Sequence, residues 1–321
     1  MHKDRMSRPH GFTLIELLAV IAIISLLIAL LVPAVSNVRD QARRASSRAQ
    51  LDAIAKGCEM FHGDLGSYPR SAGPNPFEGN SNIRLSGAQW LALQLLGADF
   101  QGYVKPERRN DTDGNGTIDA VDWRNWYNPA WVPPAGVGAP TRLSLYVEVT
   151  GRIAQSPELW VRDAGLGDPA QVLPASLQAG SSDFRNSRVP FFVDTFGAPI
   201  LYYAANAEAK LAFSDPPGGA AARGRYDQAD NDQLTGSEAP SSTNEPGLDL
   251  GAGLPHKLRK LGWRAATPLT APEGDSFAAA LYDRGLFEQS GRVWPRRPDS
   301  FILIAPGKDA LYGTSDDITN F

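Results

Sequence analysis

The chain has 321 residues, of which 42% are hydrophobic and 21% are charged, enough for one sizeable globular core and a small second unit. Its formal net charge of -4 and its pI of about 5.6 give no reason to expect a nucleic-acid partner. The single cysteine, Cys58, excludes an internal disulfide and any CxxC zinc or redox motif.

The first predicted element is a long apolar run that follows a short basic leader. The leader, residues 1–11, carries three basic side chains against the single acidic Asp4: Lys3, Arg5 and Arg8. Within residues 12–38 the only ionisable side chain is Glu16. As a helix this run spans about 40 Å, more than the roughly 30 Å hydrocarbon core of a bilayer. Residues 12–38 are therefore predicted to cross a membrane once, with the leader on the cytoplasmic side.

Three alternatives exist for this run: a secretory signal peptide, a plain membrane anchor, or a membrane segment with its own function. A signal peptide would end in a small-x-small cleavage site, but here the run continues through Pro33 into an amphipathic pattern. A plain anchor leaves Glu16 without a role, although a carboxylate within lipid costs about 2.5–3.5 kcal/mol and usually serves a function. The glutamate favours the third alternative.

The sequence GFTLIE, residues 11–16, resembles the prepilin motif of type IV pilins and of the G-type pseudopilins of type II secretion. The resemblance implies that a prepilin peptidase cuts after Gly11 and that the new amine of Phe12 is methylated. It also implies that Glu16 is the assembly residue, because its carboxylate can neutralise the N-terminal amine of a neighbouring subunit. The partners it implies are copies of this chain, other pseudopilins, the prepilin peptidase and the inner-membrane secretion platform.

Residues 39–65 are predicted to continue the same helix as its amphipathic half. Apolar residues recur at helical spacing along one stripe: Val35, Val38, Ala42, Ala45, Ala49, Leu51, Ile54, Cys58 and Phe61. On this stripe Cys58 is predicted to be a small core residue and not a nucleophile. Pro33 removes one backbone hydrogen bond, so we expect a kink or local melting there. Gly66 and Pro69 are predicted to end the helix.

Residues 66–321 are predicted to form an α+β head, in which a small antiparallel sheet packs on the long helix as in pilins. Ser86 is predicted to cap a short helix that stops at Gly97. The strict alternation of residues 142–149 predicts a half-buried strand. Three further segments are strand candidates: residues 189–193, 199–205 and 300–306.

Two segments of the head also resemble G-type pseudopilins. Residues 64–71, DLGSYPRS, resemble the Gly-x-Tyr-Pro segment after the first helix, and residues 194–203, DTFGAPILYY, resemble a turn-and-strand element with Phe196 in place of the usual tryptophan. Insertion loops are predicted at about residues 100–140 and 214–254, the latter because it is dense in Pro, Gly, Ser, Asp and Asn. Within that second insertion, YDQADND is predicted to be a solvated acidic loop.

Residues 111–122, DTDGNGTIDAVD, carry oxygen-bearing side chains at the spacing of an EF-hand loop. The candidate ligands, the fourth of them through its backbone carbonyl, are Asp111, Asp113, Asn115, Thr117, Asp119 and Asp122. Gly116 stands at position 6, where such loops turn sharply, and hard oxygen ligands in this arrangement suit Ca²⁺. Aspartate at position 12 resembles dockerin loops, although only one such loop is found. The alternative is an Asp/Gly turn that holds no metal.

The C-terminus carries a second oxygen-rich loop within residues 307–321, GKDALYGTSDDITNF. It resembles the tail of G-type pseudopilins, whose acidic residues take part in a structural calcium site. The resemblance implies Asp309, Asp316 and Asp317 as calcium ligands, with Ala310 in place of the usual glycine. The alternative here is a simple capped turn.

Motifs of common catalytic sites (GxSxG, Walker A, HExxH, CxxC) are missing, so we expect no catalytic residue and no enzyme. Three tryptophans lie near the first loop: Trp123, Trp126 and Trp131. We expect them to serve in packing and subunit contacts and not as a carbohydrate-binding platform. The sequence thus predicts a structural subunit of a type II secretion pseudopilus, single-pass in the bacterial inner membrane with its head in the periplasm. The alternatives are a type IV pilin or minor pilin, and a membrane-anchored calcium- or glycan-binding module that does not polymerise.

Overall fold

The fold is known from a computed structural model, which describes residues 14–77, 84–148, 154–156, 159, 162, 168, 189–205, 226–231, 234, 283–290, 295–310, 312 and 314–321. The predicted leader, residues 1–11, lies outside the described residues. The chain divides into two compact units, Met1–Ala45 and Ser46–Phe321.

The long N-terminal helix, α1, covers Leu14–Leu65, or 52 residues. It is not interrupted at Pro33, where local melting was one expectation. It ends as predicted at Gly66, which has a left-handed φ of +74°. The N–H of Gly66 donates to the carbonyl of His62 at 2.8 Å, and this left-handed closing turn suits a residue without a side chain.

In the first unit, the large apolar side chains of α1 whose burial is described are exposed. Leu14, at the start of the helix, is 76% exposed, and Leu26, Leu31 and Val38 are each more than half exposed. Among the residues that the structure describes, none of the helices combines the length and the apolar character that a membrane crossing requires. The crossing by residues 12–38 stays a prediction.

In the second unit, the same helix is buried along one face. Leu51, Ile54, Cys58 and Phe61 belong to the main hydrophobic core, which confirms the C-terminal part of the predicted stripe. Burial raises the pKa of the Cys58 thiol well above its usual value, so this free cysteine stays protonated. The prediction that Cys58 is a core residue is confirmed.

The second helix, α2, covers Gly87–Leu96 and is buried along its whole length. Ser86 and Gln89 form a capping box at its start: the Ser86 hydroxyl accepts from the Gln89 N–H, and the Gln89 side chain accepts from the Ser86 N–H. Gly97, with φ of +79°, closes the helix by donating its N–H to the carbonyl of Leu93. Both predicted ends of this helix are confirmed.

The strands of the head form two small antiparallel sheets. β1 (Ala154–Gln155) pairs with β2 (Phe191–Phe192). β3 (Leu201–Ala204), β4 (Phe301–Ala305) and β5 (Ile318–Thr319) follow that spatial order in a three-stranded sheet, with Leu201 opposite Ile304. Each of the three strand candidates at 189–193, 199–205 and 300–306 contains a strand. A long helix followed by a small antiparallel sheet confirms the predicted α+β, pilin-like fold class.

The remaining elements are short. They are two helices, α3 (Ala120–Trp126) and α4 (Arg284–Ser290), and 3-10 turns at Arg108–Asn110, Gln228–Asn231 and Gly307–Asp309. Residues 100–140, predicted as an insertion loop, thus contain a helix and also contribute aromatic side chains to the main core: Tyr103, Trp123, Trp126 and Tyr127.

The strand predicted at 142–149 is wrong over its described part, residues 142–148. Arg142 makes a single bridge with Val104, and Tyr146 donates its N–H to the carbonyl of Leu95 near the end of α2. Tyr146 and Val147 are buried side by side, so the burial does not alternate. The alternating pattern gave a wrong prediction because the backbone of this segment bonds to the end of a helix and to a loop, and not to a neighbouring strand.

The second insertion, 214–254, lies mostly outside the described residues, but three of its described residues are buried within the head. Tyr226, Asp230 and Asn231 are all almost inaccessible to solvent. The prediction of a solvated acidic loop is therefore wrong at these positions. The reason is that their polar groups find partners within the head. Asn231 bonds backbone groups of α2 and β3, Asp230 accepts the Ser71 hydroxyl, and Tyr226 donates to backbone carbonyls just before β4.

Candidate functional site

The residues predicted for N-terminal processing and assembly lie at the start of the chain. Gly11 and Phe12 are outside the described residues. Glu16 is exposed in the first turn of α1, where a carboxylate interacts favourably with the positive end of the helix dipole. It is the one acidic residue of that turn, amid exposed apolar side chains.

The EF-hand-like loop begins after the 3-10 turn Arg108–Asn110 and leads into α3. A regular entering helix is replaced by that short turn, in agreement with the poor helical character of the preceding sequence. The exiting helix is present, and Asp119 caps it by accepting the N–H of Val121 at 2.7 Å. Asp122, three residues further, accepts the N–H of Asp119 at 3.0 Å and completes a capping box.

Three of the predicted calcium ligands come together in this loop. Asp111, Asp113 and Asp122 each place a carboxylate oxygen within 4.8 Å of the others. Oxygen ligands at 2.3–2.6 Å from one Ca²⁺ can be separated by up to about 5 Å, so the three carboxylates fit a single ion. Among the described residues these are the one group of three acidic, histidine or cysteine side chains this close together.

Asp111 organises the turn of the loop. Its carboxylate accepts the N–H groups of Gly114 and Gly116, both at 2.7 Å. The hydrogen bond from Gly116 is the main cause that lowers the pKa of Asp111 below its usual value. Gly116 has φ of +86°, a left-handed conformation that favours glycine, as expected for position 6.

Asp122 is fully buried and already accepts three hydrogen bonds. One oxygen accepts both the N–H and the hydroxyl of Thr112, at 2.6 and 2.7 Å. The other accepts only the Asp119 N–H, which leaves that oxygen one lone pair. Asp122 can therefore offer an ion one oxygen, in contrast with the bidentate glutamate at position 12 of most EF-hands.

The remaining predicted ligands are bound to one another. The amide nitrogen of Asn115 donates to carboxylate oxygens of Asp113 and Asp119, at 3.0 and 3.2 Å. The amide oxygen of Asn115 accepts the N–H and the hydroxyl of Thr117. Asn115 thus presents partly positive N–H groups to the two carboxylates where an ion would require its oxygen.

The loop is attached to the core through the tryptophans of α3. Trp126 donates its indole N–H to the carbonyl of Asn110 at 2.7 Å, and its ring lies 4.9 Å from that of Trp123. Both rings are buried, which confirms packing as their role, whereas Trp131 is half-buried. The candidate ligand residues at 111–122 are therefore connected to a buried aromatic cluster.

The C-terminal loop is organised by Asp316. One of its oxygens accepts the N–H groups of Lys308 and Asp309, at 2.9 and 3.2 Å, and the other accepts the Thr314 hydroxyl. Partial burial acts to raise the pKa of Asp316, but these hydrogen bonds outweigh it and lower the pKa. Asp309 donates here through its backbone, so the predicted ligands Asp309 and Asp316 are brought together. Asp317, which follows Asp316 in sequence, is half-buried.

Two backbone positions explain the shape of this loop. Ala310, where the resemblance to pseudopilin tails predicts glycine, takes a left-handed φ of 55°, so the turn is kept with a residue less suited to it. Gly307 has φ of +70°, and a Cβ there would lie 2.4 Å from the carbonyl oxygen of Asp316. The loop therefore closes on itself through Gly307.

Asp194 is a carboxylate whose burial the sequence did not indicate. One oxygen accepts the N–H groups of Phe196 and Ala198, each at 2.9 Å, while the other is buried without a hydrogen-bond partner. Desolvation raises the pKa of Asp194 to about 6. The Asp-x-Phe-Gly turn predicted its position, but burial of one carboxylate oxygen has no local signal.

The N-terminal residues match a known family model. Residues 6–32 match the model described as the prokaryotic N-terminal methylation motif. The chain carries a prepilin-type N-terminus. It is also 41% identical over 59 residues to the type II secretion system core protein G of Pseudomonas aeruginosa. That stretch covers 18% of this chain and 42% of the relative, so the match spans less than half of the relative's length.

These two findings confirm the predicted resemblance to type IV pilin-like proteins and G-type pseudopilins. They support a pilin-like role for the chain, and structural subunits of that kind are not enzymes. No solved structure matches the chain.

Proposed function

We propose that this chain is a structural subunit of a type II secretion pseudopilus that supports protein export. The observation that carries the proposal is the prepilin-type motif at residues 6–32, together with a helix on which the described large apolar side chains of the first unit are exposed. Exposed apolar surface on this scale needs a membrane or neighbouring subunits to cover it. In a filament subunit, the membrane would cover this surface before assembly, and neighbouring subunits would cover it afterwards.

In this proposal, cleavage after Gly11 creates a charged amine on Phe12 within an apolar environment. Glu16 carries the opposite charge and lies in the same environment. When the amine of one subunit meets the Glu16 carboxylate of the next, two separately costly charges become one pair, and this fixes the axial register of the subunits. The function is therefore mechanical and requires no catalytic residue.

The proposal places the protein in the bacterial inner membrane, with the head on the periplasmic side. Its partners are copies of itself, other pseudopilins, the prepilin peptidase and the inner-membrane secretion platform. The similarity to the core protein G of Pseudomonas aeruginosa supports this assignment over a type IV pilin or minor pilin. Genes for a secretion ATPase and for a prepilin peptidase beside this one would support it further.

The experiment that tests assembly compares two substitutions in the apolar half of α1. Two differently tagged copies of the full chain are expressed with a prepilin peptidase, crosslinked in membranes, and captured through one tag. Glu16→Leu should lower co-capture by about a hundredfold or more, because an unpaired buried charge costs about 3–5 kcal/mol. Ser25→Leu, a change to the same residue within the same apolar run, should leave co-capture unchanged.

A simple membrane anchor predicts the opposite result. An anchor would tolerate Glu16→Leu, or insert into the membrane more readily, and neither variant would alter co-capture. That outcome would favour the second candidate function, a non-polymerising anchored module. The three clustered carboxylates of the 111–122 loop are the feature that favours this candidate, since calcium binding does not require assembly.

We further propose that Ca²⁺ binds the 111–122 loop as a structural ion. Asp111, Asp113 and Asp122 would supply carboxylate oxygens, and Asn115 would join them once its amide rotates to present its oxygen. Calcium sites of modest affinity, about 10⁻⁴–10⁻³ M, fill outside the cytoplasm, so the ion would stiffen the loop after export. For Asp309, Asp316 and Asp317 the resemblance to pseudopilin tails is the supporting argument for a second calcium site.

A further inference from the structure

The segment of α1 that follows the apolar run carries a group of arginines. The run ends at Val38, and four arginines lie within residues 39–48. We call them the arginine cluster: Arg39, Arg43, Arg44 and Arg48. Asp40 is the one acid among residues 36–50, so this segment is positive in a chain whose net charge is -4.

The arginine cluster lies on the part of α1 that leads into the head. Its four side chains are all exposed, and the helix is continuous through them. Ser47 is the first described residue of α1 that is buried, and its hydroxyl shares a hydrogen bond with that of Thr195 at 2.6 Å. Arg39, Arg43 and Arg44 therefore lie between the apolar run and the first position that the head buries.

The depth of the cluster rests on the membrane location in the proposed function. The hydrocarbon core takes about 20 helical residues, so residues 12–38 cross it and bring Arg39 to the headgroups of the far leaflet. Arg43 and Arg44 then lie about 6–8 Å further along the helix axis. That distance is within the screening length of about 8 Å at physiological ionic strength. Three arginines thus lie where the charge of lipid headgroups acts on them.

The chemistry of the cluster suits phosphate groups. A guanidinium is planar, stays charged, and can donate two parallel hydrogen bonds to one phosphate. The basic residues of this segment are all arginine, and none is lysine. Basic residues on the exported flank of a membrane segment also work against the orientation rule, so a role that offsets this disadvantage is expected of them.

We propose that the arginine cluster binds the phosphates of anionic phospholipids in the outer leaflet of the inner membrane. This contact holds α1 at a fixed depth before assembly. A lipid surface is favoured over an acidic protein surface because the cluster directly continues the apolar run that the proposed function places in lipid.

The test reconstitutes the full chain into phosphatidylcholine vesicles that contain a trace of spin-labelled phosphatidylglycerol or spin-labelled phosphatidylcholine. Electron paramagnetic resonance measures the fraction of each lipid that the protein immobilises. The anionic lipid should associate more strongly with the parent protein. Salt at about 1 M, which shortens the screening length to about 3 Å, should lower this preference.

Changing Arg39, Arg43 and Arg44 together to glutamine should lower the relative association of phosphatidylglycerol about fivefold or more. Fivefold is the factor that one arginine contributes near an anionic surface. Glutamine has nearly the helix propensity of arginine, so α1 is kept. The basic leader is the same in both proteins and cancels in the comparison. The matched control changes the same residues to lysine, keeps the charge, and should retain most of the preference.

A second comparison tests the depth of the contact. Arg39→Gln alone should lower the lipid preference more than Arg48→Gln, because Arg48 lies about 14 Å further from the apolar run along the helix. Equal losses from these two variants would contradict a contact with the membrane surface.

An equal preference in the parent protein and in the triple glutamine variant would overturn the proposal. If that variant instead lowers co-capture of tagged copies, the partner is an acidic surface of a neighbouring subunit. A chain that immobilises neither lipid would contradict the membrane location as well. Glu16→Leu should keep the lipid preference, so a failure of assembly and a failure of this inference are separate results.

Discussion

Both ends of helix α1 carry large apolar side chains, but the surroundings of these side chains are opposite. Near its start, Leu14 and Leu18 are 76% and 51% exposed. Near its end, Ile54 and Phe61 are buried in the core of the head. The head thus covers these apolar side chains within one chain, whereas the first unit leaves its apolar side chains exposed. Under the proposed function, a membrane or other subunits would cover them.

The largest predicted effect comes from truncating one apolar side chain at each end of α1 and comparing the stability of the head. Phe61 contacts Tyr103 and Tyr146, with ring centroids 6.0 and 5.4 Å apart. Phe61→Ala should therefore lower the free energy of unfolding of the head by about 3–5 kcal/mol. Denaturant unfolding of the full chain in detergent, followed by tryptophan fluorescence, measures the loss.

Leu18→Ala is the control for that prediction. Because Leu18 contributes nothing to the core of the head, its truncation should leave the unfolding midpoint of the head unchanged. Equal losses from Phe61→Ala and Leu18→Ala would contradict the division of the helix into a self-contained part and a dependent part.

Calcium should stabilise the second unit, because the proposed ligands of the 111–122 loop all lie there. Calcium at a hundred times its dissociation constant should stabilise the folded head by about 2.7 kcal/mol, as for any ligand of the folded state alone. Thermal unfolding with calcium, and with magnesium as a comparison ion, measures the shift.

Asp111→Asn should remove most of that calcium effect, because it removes a charged ligand and weakens the turn around Gly116. Asp52→Asn, at an exposed position of α1, should keep it. If calcium leaves the unfolding midpoint of the parent protein unchanged, both proposed calcium sites are contradicted.

Two glycines of α1 should respond in opposite directions. A Cβ on Gly57 would lie 2.6 Å from a methyl group of Val147 and 3.0 Å from the carbonyl oxygen of Tyr146, so Gly57→Ala should destabilise the head by about 1–3 kcal/mol. A Cβ on Gly63 would meet no atom within 4 Å, so Gly63→Ala should stabilise it by about 0.5–1 kcal/mol through helix propensity. Stabilisation by both would show that residues 146–147 do not pack on α1.

Asp194 predicts a dependence of the head's stability on pH. Its folded pKa of about 6 lies above the usual value of 3.8, so the folded head binds this proton more tightly than the unfolded chain does. Stability should be lost as pH rises through 6, by about 1 kcal/mol between pH 5 and pH 7. Asp194→Asn keeps an acceptor for Phe196 and Ala198 and should remove this contribution. An unchanged pH profile in Asp194→Asn would exclude Asp194 as its source.

Much of the fold followed from local signals in the sequence. Gly66, Ser86 and Gly97 end or begin helices as predicted, because each acts on backbone groups within four residues of itself. The strands at Leu201–Ala204 and Phe301–Ala305 were predicted by short apolar runs beside turns. The carboxylates of the 111–122 loop converge for the same reason: their spacing is local.

What could not be predicted depends on contacts between distant residues. Alternation at 142–149 predicted a strand, but the backbone bonds of this segment go to Tyr103 and Leu95. The composition around Asp230 and Asn231 predicted a solvated loop, whereas their partners, Ser71 and Ala88, lie more than 140 positions away. Long-range hydrogen bonding of this kind has no periodic signature.

The central claim, that this chain is processed and assembles as a pilin-like subunit, is tested most directly at its N-terminus. Mass spectrometry of the protein isolated from membranes of cells that contain a prepilin peptidase should find a mature chain that begins with N-methylated Phe12. A chain that keeps residues 1–11, under conditions where a known prepilin is processed, would contradict the claim and leave a tethered head as the simpler account.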